Sequence, residues 1–189
     1  MTNFDDGVDY LEPAMGQTPY WFWPPALDIV PDGPGAYAVN EEVPDINEVI
    51  DGGIFCAAVV NLIRRANRKV IPTLGDDRYD GGTWACQNFW HPFHEDFSIY
   101  SVYPRGTLVG RYFRWAGAPG FSAVVDQGHV AVLWDEHNLA EQKDAYIIQS
   151  HPDVAGLDWN THLTYSHQGW FYEYAVRPED WINHDLGRF

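Results

Sequence analysis

The chain has 189 residues, of which 46% are hydrophobic and 16% aromatic, so it can bury a core and is excluded from the disordered class. Its net charge is −16, from 11 basic and 27 acidic residues, and the sequence has no basic stripe that could bind a nucleic acid. No apolar run approaches the roughly 20 residues that span a bilayer, and the acidic start of the chain has no apolar region of a signal peptide. We expect a soluble domain without nucleic-acid binding or stable membrane insertion.

The first 50 residues are acidic and rich in proline. They contain ten acidic residues and seven of the 13 prolines, but no lysine or arginine. Such a stretch favours turns and irregular chain, and its aromatic run at residues 20–23 is expected to pack against the rest of the protein. We predict one domain over 1–189, with an irregular N-terminal arm over 1–50 and a catalytic core over 51–189.

A buried helix is predicted from Ile54 to Asn67. Apolar residues occupy almost its whole circumference, which is typical of a helix inside a core. Asp51-Gly52-Gly53 supplies a start signal and Pro72 closes the segment. The basic residues near its end, at positions 64, 65, 68 and 69, complement the helix dipole rather than bind phosphate.

Cys56 lies in the first turn of this helix. Unpaired amides and the dipole at a helix start stabilise a thiolate, and the same amides can form an oxyanion hole. The alternative is that Cys56 is a small buried apolar residue, as most free cysteines are. Cys86 lies in a polar and aromatic segment without a helix start, and we interpret it as structural. Neither cysteine is expected to form a disulfide.

The second half of the chain is predicted to be rich in β-strands. Short β-branched and aromatic runs indicate strands at 108–115, 129–135, 145–150 and 169–176. A buried helix followed by an antiparallel sheet is an α+β arrangement.

His129 is the candidate general base. It follows a glycine in Asp126-Gln-Gly-His, at the edge of a predicted strand, where it can reach a thiol on a packed helix. A hairpin register that pairs His129 with Gln149 makes Gln149 the candidate third residue, which orients the imidazole. A one-residue slip brings Ser150 there instead, and Asp135 and His151 are weaker candidates.

A metal site is the alternative at His91 and His94. Histidines three residues apart can bind zinc, but Pro92 disfavours a helix between them and no third ligand has suitable spacing. We therefore predict no metal and no cofactor.

The order of these elements resembles the NlpC-type papain-like cysteine peptidases, including the peptidase domains of endolysins from phages of actinobacteria. The similar stretches are Cys56-Ala-Ala-Val-Val-Asn-Leu, the turn Tyr79-Asp-Gly-Gly, Asp126-Gln-Gly-His-Val-Ala and Pro178-Glu-Asp-Trp-Ile. The usual Asp-Cys-Ser-Gly signature is absent, and the third position is often His, Asn or an acid.

The resemblance implies a papain-like fold and hydrolysis of an amide in the peptide stem of peptidoglycan, commonly between D-glutamate and diaminopimelate. It implies Cys56 as nucleophile, His129 as base and Gln149 as third residue. It also implies residence in the host cytoplasm until a holin opens the membrane, and wall-binding domains in a longer parent chain.

Three other functions fit parts of the sequence. The first is an amidase or transferase on the same scaffold. The second is a glycan-binding or glycosidase domain, in which the nine tryptophans stack on sugars and Asp135, Glu136 or Asp158 supplies carboxylates. The third is a non-catalytic interaction protein in which Cys56 and His129 are core residues.

Overall fold

The computed structural model describes residues 4–20, 43–72, 81–115, 124–126, 128–154 and 156–182. Its helices are α1 (Phe4–Leu11), α2 (Ile46–Gly52), α3 (Cys56–Ala66), α4 (Thr83–Phe89), α5 (Leu163–Trp170) and α6 (Pro178–Trp181). Its strands are β1 (Glu95–Asp96), β2 (Leu108–Arg111), β3 (Arg114–Trp115), β4 (Val124–Asp126), β5 (His129–Leu133), β6 (Tyr146–His151), β7 (Gly156–His162) and β8 (Tyr174–Val176).

A six-stranded antiparallel sheet forms the centre, in the order β1-β8-β2-β5-β6-β7, and β3 and β4 form a separate hairpin. Helix α3 packs on β5 and β6. Val130 and Val132 of β5 join the core on the α3 side, whereas Ala131 and Leu133 join a second core with Leu163 of α5. The predicted α+β arrangement, a buried helix on an antiparallel sheet, is confirmed.

The first 50 residues contain more helix than we predicted. The prediction of an irregular arm is wrong for α1 and α2, while residues 21–42, with most of the aromatic run, lie outside the described part of the chain. Phe4, Val8 and Leu11 recur at helical spacing and are buried, which explains why α1 forms. Gly7 lets α1 approach α3, because a Cβ there would lie 2.7 Å from Cγ2 of Ile63.

The start of α3 differs from the predicted one. Asp51 and Gly52 end α2, and Gly53 follows with a φ of 75°, a left-handed conformation that glycine adopts readily. Ile54 and Phe55 are then extended, so Cys56 is the first residue of α3. Asp51-Gly52-Gly53 therefore marks the end of α2 and not the start of α3. Helix α3 begins at Cys56, two residues after the predicted start at Ile54.

The basic end of α3 is part of the core. Arg64 is fully buried, and its Nη1 donates hydrogen bonds to the carbonyl oxygens of Trp181 (2.6 Å) and Ile182 (3.3 Å). Its Nε donates to the carbonyl oxygen of Val70 at 2.9 Å. The carbonyls of Trp181 and Ile182 lie at the end of α6, where a cation complements the helix dipole. Arg64 thus fixes the end of α6 against α3.

Two predicted segments have a different structure. Cys86 lies on helix α4, not in an irregular segment, although it is fully buried as its structural role requires. The predicted strand at 169–176 is wrong in its first half, because Gly169 and Trp170 end α5 and only Tyr174–Val176 forms a strand. The predicted strand at 108–115 is divided between β2 and β3.

Candidate active site

Cys56 is held where strands β5 and β6 separate. The two strands pair at Val132–Ile148 and Leu133–Ile147, which lie at the C-terminal end of β5. The carbonyl oxygen of Ile54 accepts a hydrogen bond from the Ser150 hydroxyl at 2.7 Å, which ties the segment before Cys56 to β6. The backbone N–H of Val130, in β5, points at the Cys56 sulfur. The start of α3 is therefore inserted beside the first residues of β5.

His129 is the first residue of β5 and is positioned by a glycine. Gly128 has a φ of 68°, and a Cβ on it would lie 2.8 Å from the carbonyl oxygen of Arg111. Only glycine fits this approach without strain. The Gly128 N–H also donates to Oδ1 of Asp126 at 3.0 Å, which fixes the turn before the histidine. The Gly-His pair thus fixes His129 at the start of β5, next in sequence to Val130, whose backbone N–H lowers the pKa of Cys56.

Gln149 contacts His129 although the predicted register is wrong. The observed pairs of β5 and β6 are shifted by two residues from the predicted register. If the same register is extended to the start of β5, the partner of His129 is His151 and not Gln149. Because side chains alternate with a period of two, a shift of two leaves Gln149 on the face of His129. Nε2 of His129 and Oε1 of Gln149 lie 3.0 Å apart. Ser150, the alternative, bonds to Ile54 instead.

This hydrogen bond sets the tautomer of the imidazole. The amide oxygen of Gln149 only accepts, so Nε2 of the neutral ring carries the proton and Nδ1 has the free lone pair. Burial lowers the pKa of His129 to about 3, against the effect of the Gln149 hydrogen bond. The ring is therefore neutral near pH 7, which is the form of a general base.

The Cys56 sulfur is a neutral thiol at rest. Burial raises its pKa to about 11, while the backbone N–H groups of Val130, Ala57 and Cys56 itself lower it. The expected stabilisation by the helix start is present but smaller than the effect of burial. Among the described residues, no hydrogen bond joins the sulfur to His129; such contacts are often long until a substrate binds.

Aromatic residues that the sequence did not reveal surround the imidazole. Trp170 stacks on His129, with ring centroids 4.5 Å apart and an angle of 26° between the planes. It also contacts His151 edge to face at 4.4 Å. Tyr172 lies 6.1 Å from His129, and Tyr20 pairs with Ile54 by a parallel bridge. The sequence pattern does not indicate Trp170, because it predicts a strand over 169–176.

The alternative site residues have structural partners. Asp135 accepts from the backbone of Tyr146 at 2.8 Å, and Asp158 accepts from the Thr161 hydroxyl at 2.7 Å. Glu136 forms an ion pair with Lys143 at 3.1 Å. These contacts fix turns and strand ends. No group of three or more His, Cys, Asp or Glu residues able to hold a metal occurs in the described part of the chain.

We expect iodoacetamide to label Cys56 much faster than Cys86 near neutral pH. Cys86 is fully buried, and burial raises its pKa beyond that of Cys56. The Cys56 rate should rise about tenfold per pH unit from pH 7 to 10, because the thiolate fraction grows until the pKa of about 11 is reached. Mass spectrometry of peptides after timed quenching measures both rates.

Equal rates for the two cysteines, or faster labelling of Cys86, would contradict the assignment of Cys56 as nucleophile. A Cys56 rate that stays constant between pH 7 and 10 would instead indicate a preformed thiolate paired with an imidazolium. That result would contradict the neutral resting state.

The chain was compared with models of protein families, with curated proteins and with solved structures, and none of them matches it. Within the described residues, no helix is both long and apolar enough to cross a membrane. The roles of Cys56, His129 and Gln149 therefore depend on the geometry above and on the resemblance in sequence.

Proposed function

We propose that this protein is a papain-like cysteine hydrolase that cleaves an amide in the peptide stem of peptidoglycan. One observation carries the proposal: the hydrogen bond from His129 to Gln149 leaves Nδ1 of a neutral imidazole free to act as a base, on the strand that packs against the helix beginning at Cys56. A nucleophile, a base and a group that orients the base are the parts that acyl transfer needs.

The proposed reaction has two steps. As Nδ1 of His129 removes the thiol proton, the sulfur of Cys56 bonds to the carbonyl carbon of the amide. The C–N bond then breaks, and the imidazolium gives the proton to the leaving amine. In the second step water attacks the thioester and His129 takes its proton. The S–C bond then breaks and the imidazolium returns the proton to the sulfur, which gives a carboxylic acid and the free thiol.

Three features of the site support this reaction. The backbone N–H groups of Cys56 and Ala57 lower the pKa of the thiol, and as amides at the start of α3 they can donate to an oxyanion that develops beside the new S–C bond. Stacking of Trp170 on His129 excludes water from one face of the ring. A buried imidazole hydrogen-bonded to Gln149 keeps one orientation and one tautomer through the reaction.

The peptidoglycan substrate is supported by the resemblance to endolysin peptidases. The bond proposed is the one between D-glutamate and diaminopimelate. The proposal includes action on the cell wall after holin-dependent release from the host cytoplasm, and it needs no cofactor. An amidase or transferase on the same scaffold would use the same thiol on another amide.

Digestion of purified peptidoglycan is expected to release stem fragments with new free amines on diaminopimelate. Mass spectrometry of the muropeptides identifies the bond. Iodoacetamide should abolish the activity, because the thiol is the nucleophile, whereas EDTA should leave it unchanged.

Loss of activity in EDTA, with recovery on adding zinc, would contradict the cysteine mechanism and return attention to His91 and His94. Cleavage between sugars would support the glycosidase alternative. Release of fragments cut at a different amide would keep the mechanism but change the substrate.

A further inference from the structure

Arg111 lies directly across from the candidate base. It is the last residue of β2, and the antiparallel ladder pairs it with His129. Cross-strand partners point to the same face of a sheet, with Cβ atoms about 5 Å apart. The guanidinium is close enough that its charge contributes to the lowered pKa of His129. A cation therefore lies beside the imidazole on the β2 side, opposite the side that Gln149 contacts.

The guanidinium has donors left for a second partner. Nη2 of Arg111 forms a short ion pair with Oδ2 of Asp126. Asp126 is itself fixed by the Gly128 N–H, and Arg114 approaches it at 3.7 Å. Among the described residues, Nε and Nη1 of Arg111 make no hydrogen bond or ion pair. Since the side chain is 30% exposed, these donors can reach a ligand.

The proposed reaction determines which half of the substrate lies near the Arg111 guanidinium. His129 must hand its proton to the leaving amine, so the amine half of the substrate lies against the imidazole. Gln149 contacts the ring from β6, and Trp170 covers a face of it. Arg111 is then the charged side chain that faces the amine half from β2.

We infer that Arg111 binds a carboxylate carried by the residue on the amine side of the scissile bond, and so selects anionic stem peptides. This inference rests on the proposed function. The planar guanidinium can hold a carboxylate by two parallel N–H bonds, while Asp126 holds its other end in place. The bound carboxylate also offsets the charge that disfavours an imidazolium at His129, which the base must form during the reaction.

The test uses two synthetic tripeptides of L-alanine, D-glutamate and diaminopimelate. One has free carboxylates on diaminopimelate, and the other has both amidated. For the wild-type protein, kcat/KM should fall roughly 10- to 100-fold on amidation. Arg111→Gln should lose about the same factor on the free acid, with little change on the amide. Arg114→Gln, which removes the other arginine near Asp126, is the matched control and should keep the preference.

Equal hydrolysis of both peptides by the wild-type protein would overturn the inference. So would an Arg111→Gln variant that loses the same factor on both peptides, because that is the result of a structural ion pair alone. If Arg111→Gln does not fold, the two peptides are titrated into the Cys56→Ala protein, and equal affinities would overturn the inference. If the wild-type protein cleaves neither the peptides nor peptidoglycan, the proposed function fails and the inference fails with it.

Discussion

Replacing Cys56 by alanine is expected to lower hydrolysis of purified peptidoglycan by at least about 10⁴-fold. Without the sulfur no thioester can form, and His129 has no thiol proton to remove. The fold should survive, because a small buried residue is exchanged for a smaller one that suits the first turn of α3. Release of soluble fragments and new free amines measures activity, and a thermal melt reports the fold.

Cys86→Ala is the matched control for this experiment. Cys86 is also a free buried cysteine, and it also lies on a helix, α4. It contacts neither His129 nor Gln149 by a hydrogen bond in the described structure. Its removal should change the melting temperature and not the turnover. Full activity in a folded Cys56→Ala protein would leave the site without its nucleophile and contradict the proposed mechanism.

The predicted position of the candidate site depends on signals that are local in the sequence. A helix that is apolar around its circumference indicates that its first turn is buried. A glycine before a strand indicates a turn that can position the next side chain. The contact between Gln149 and His129 was also predicted, although the predicted register was wrong by two residues. The period of two along a strand makes facial position insensitive to an even shift. An odd shift would have placed Ser150 there.

The surroundings of the site could not be predicted because they depend on contacts distant in sequence. Arg111 meets His129 only because β2 lies between β8 and β5 in the sheet, an order that no local pattern specifies. Trp170 is the last residue of α5, and it belongs to a stretch, 169–176, whose aromatic residues favour a strand when the sequence is read alone. Helix α1 differs from the expected irregular chain because the helical spacing of Phe4, Val8 and Leu11 outweighs the acidic composition of this segment.

Replacing Gln149 by alanine should lower turnover roughly 10- to 1,000-fold, with little change in substrate binding. The imidazole loses the acceptor at 3.0 Å that fixes its tautomer and its orientation. The base itself remains, so His129→Ala should lower turnover further. Loss of the acceptor also leaves a buried N–H unpaired, which costs about 1–3 kcal/mol of stability. Gln168→Ala, an exposed glutamine on α5, is the control and should behave like the wild-type protein.

The charge of the third residue gives a sharper test of the same contact. A Gln149→Glu variant keeps an acceptor oxygen but adds an anion beside the ring, which favours the imidazolium and raises the pKa of His129 from about 3. The base is then protonated at higher pH, so the acidic limb of the kcat/KM profile should move to higher pH than in the wild-type protein. Profiles of both proteins between pH 3 and 8, on one soluble stem peptide, measure the shift. An unchanged limb, together with wild-type turnover in a folded Gln149→Ala protein, would show that Gln149 does not orient the base. His151, whose ring centroid lies 5.5 Å from that of His129, would then be the residue to replace next.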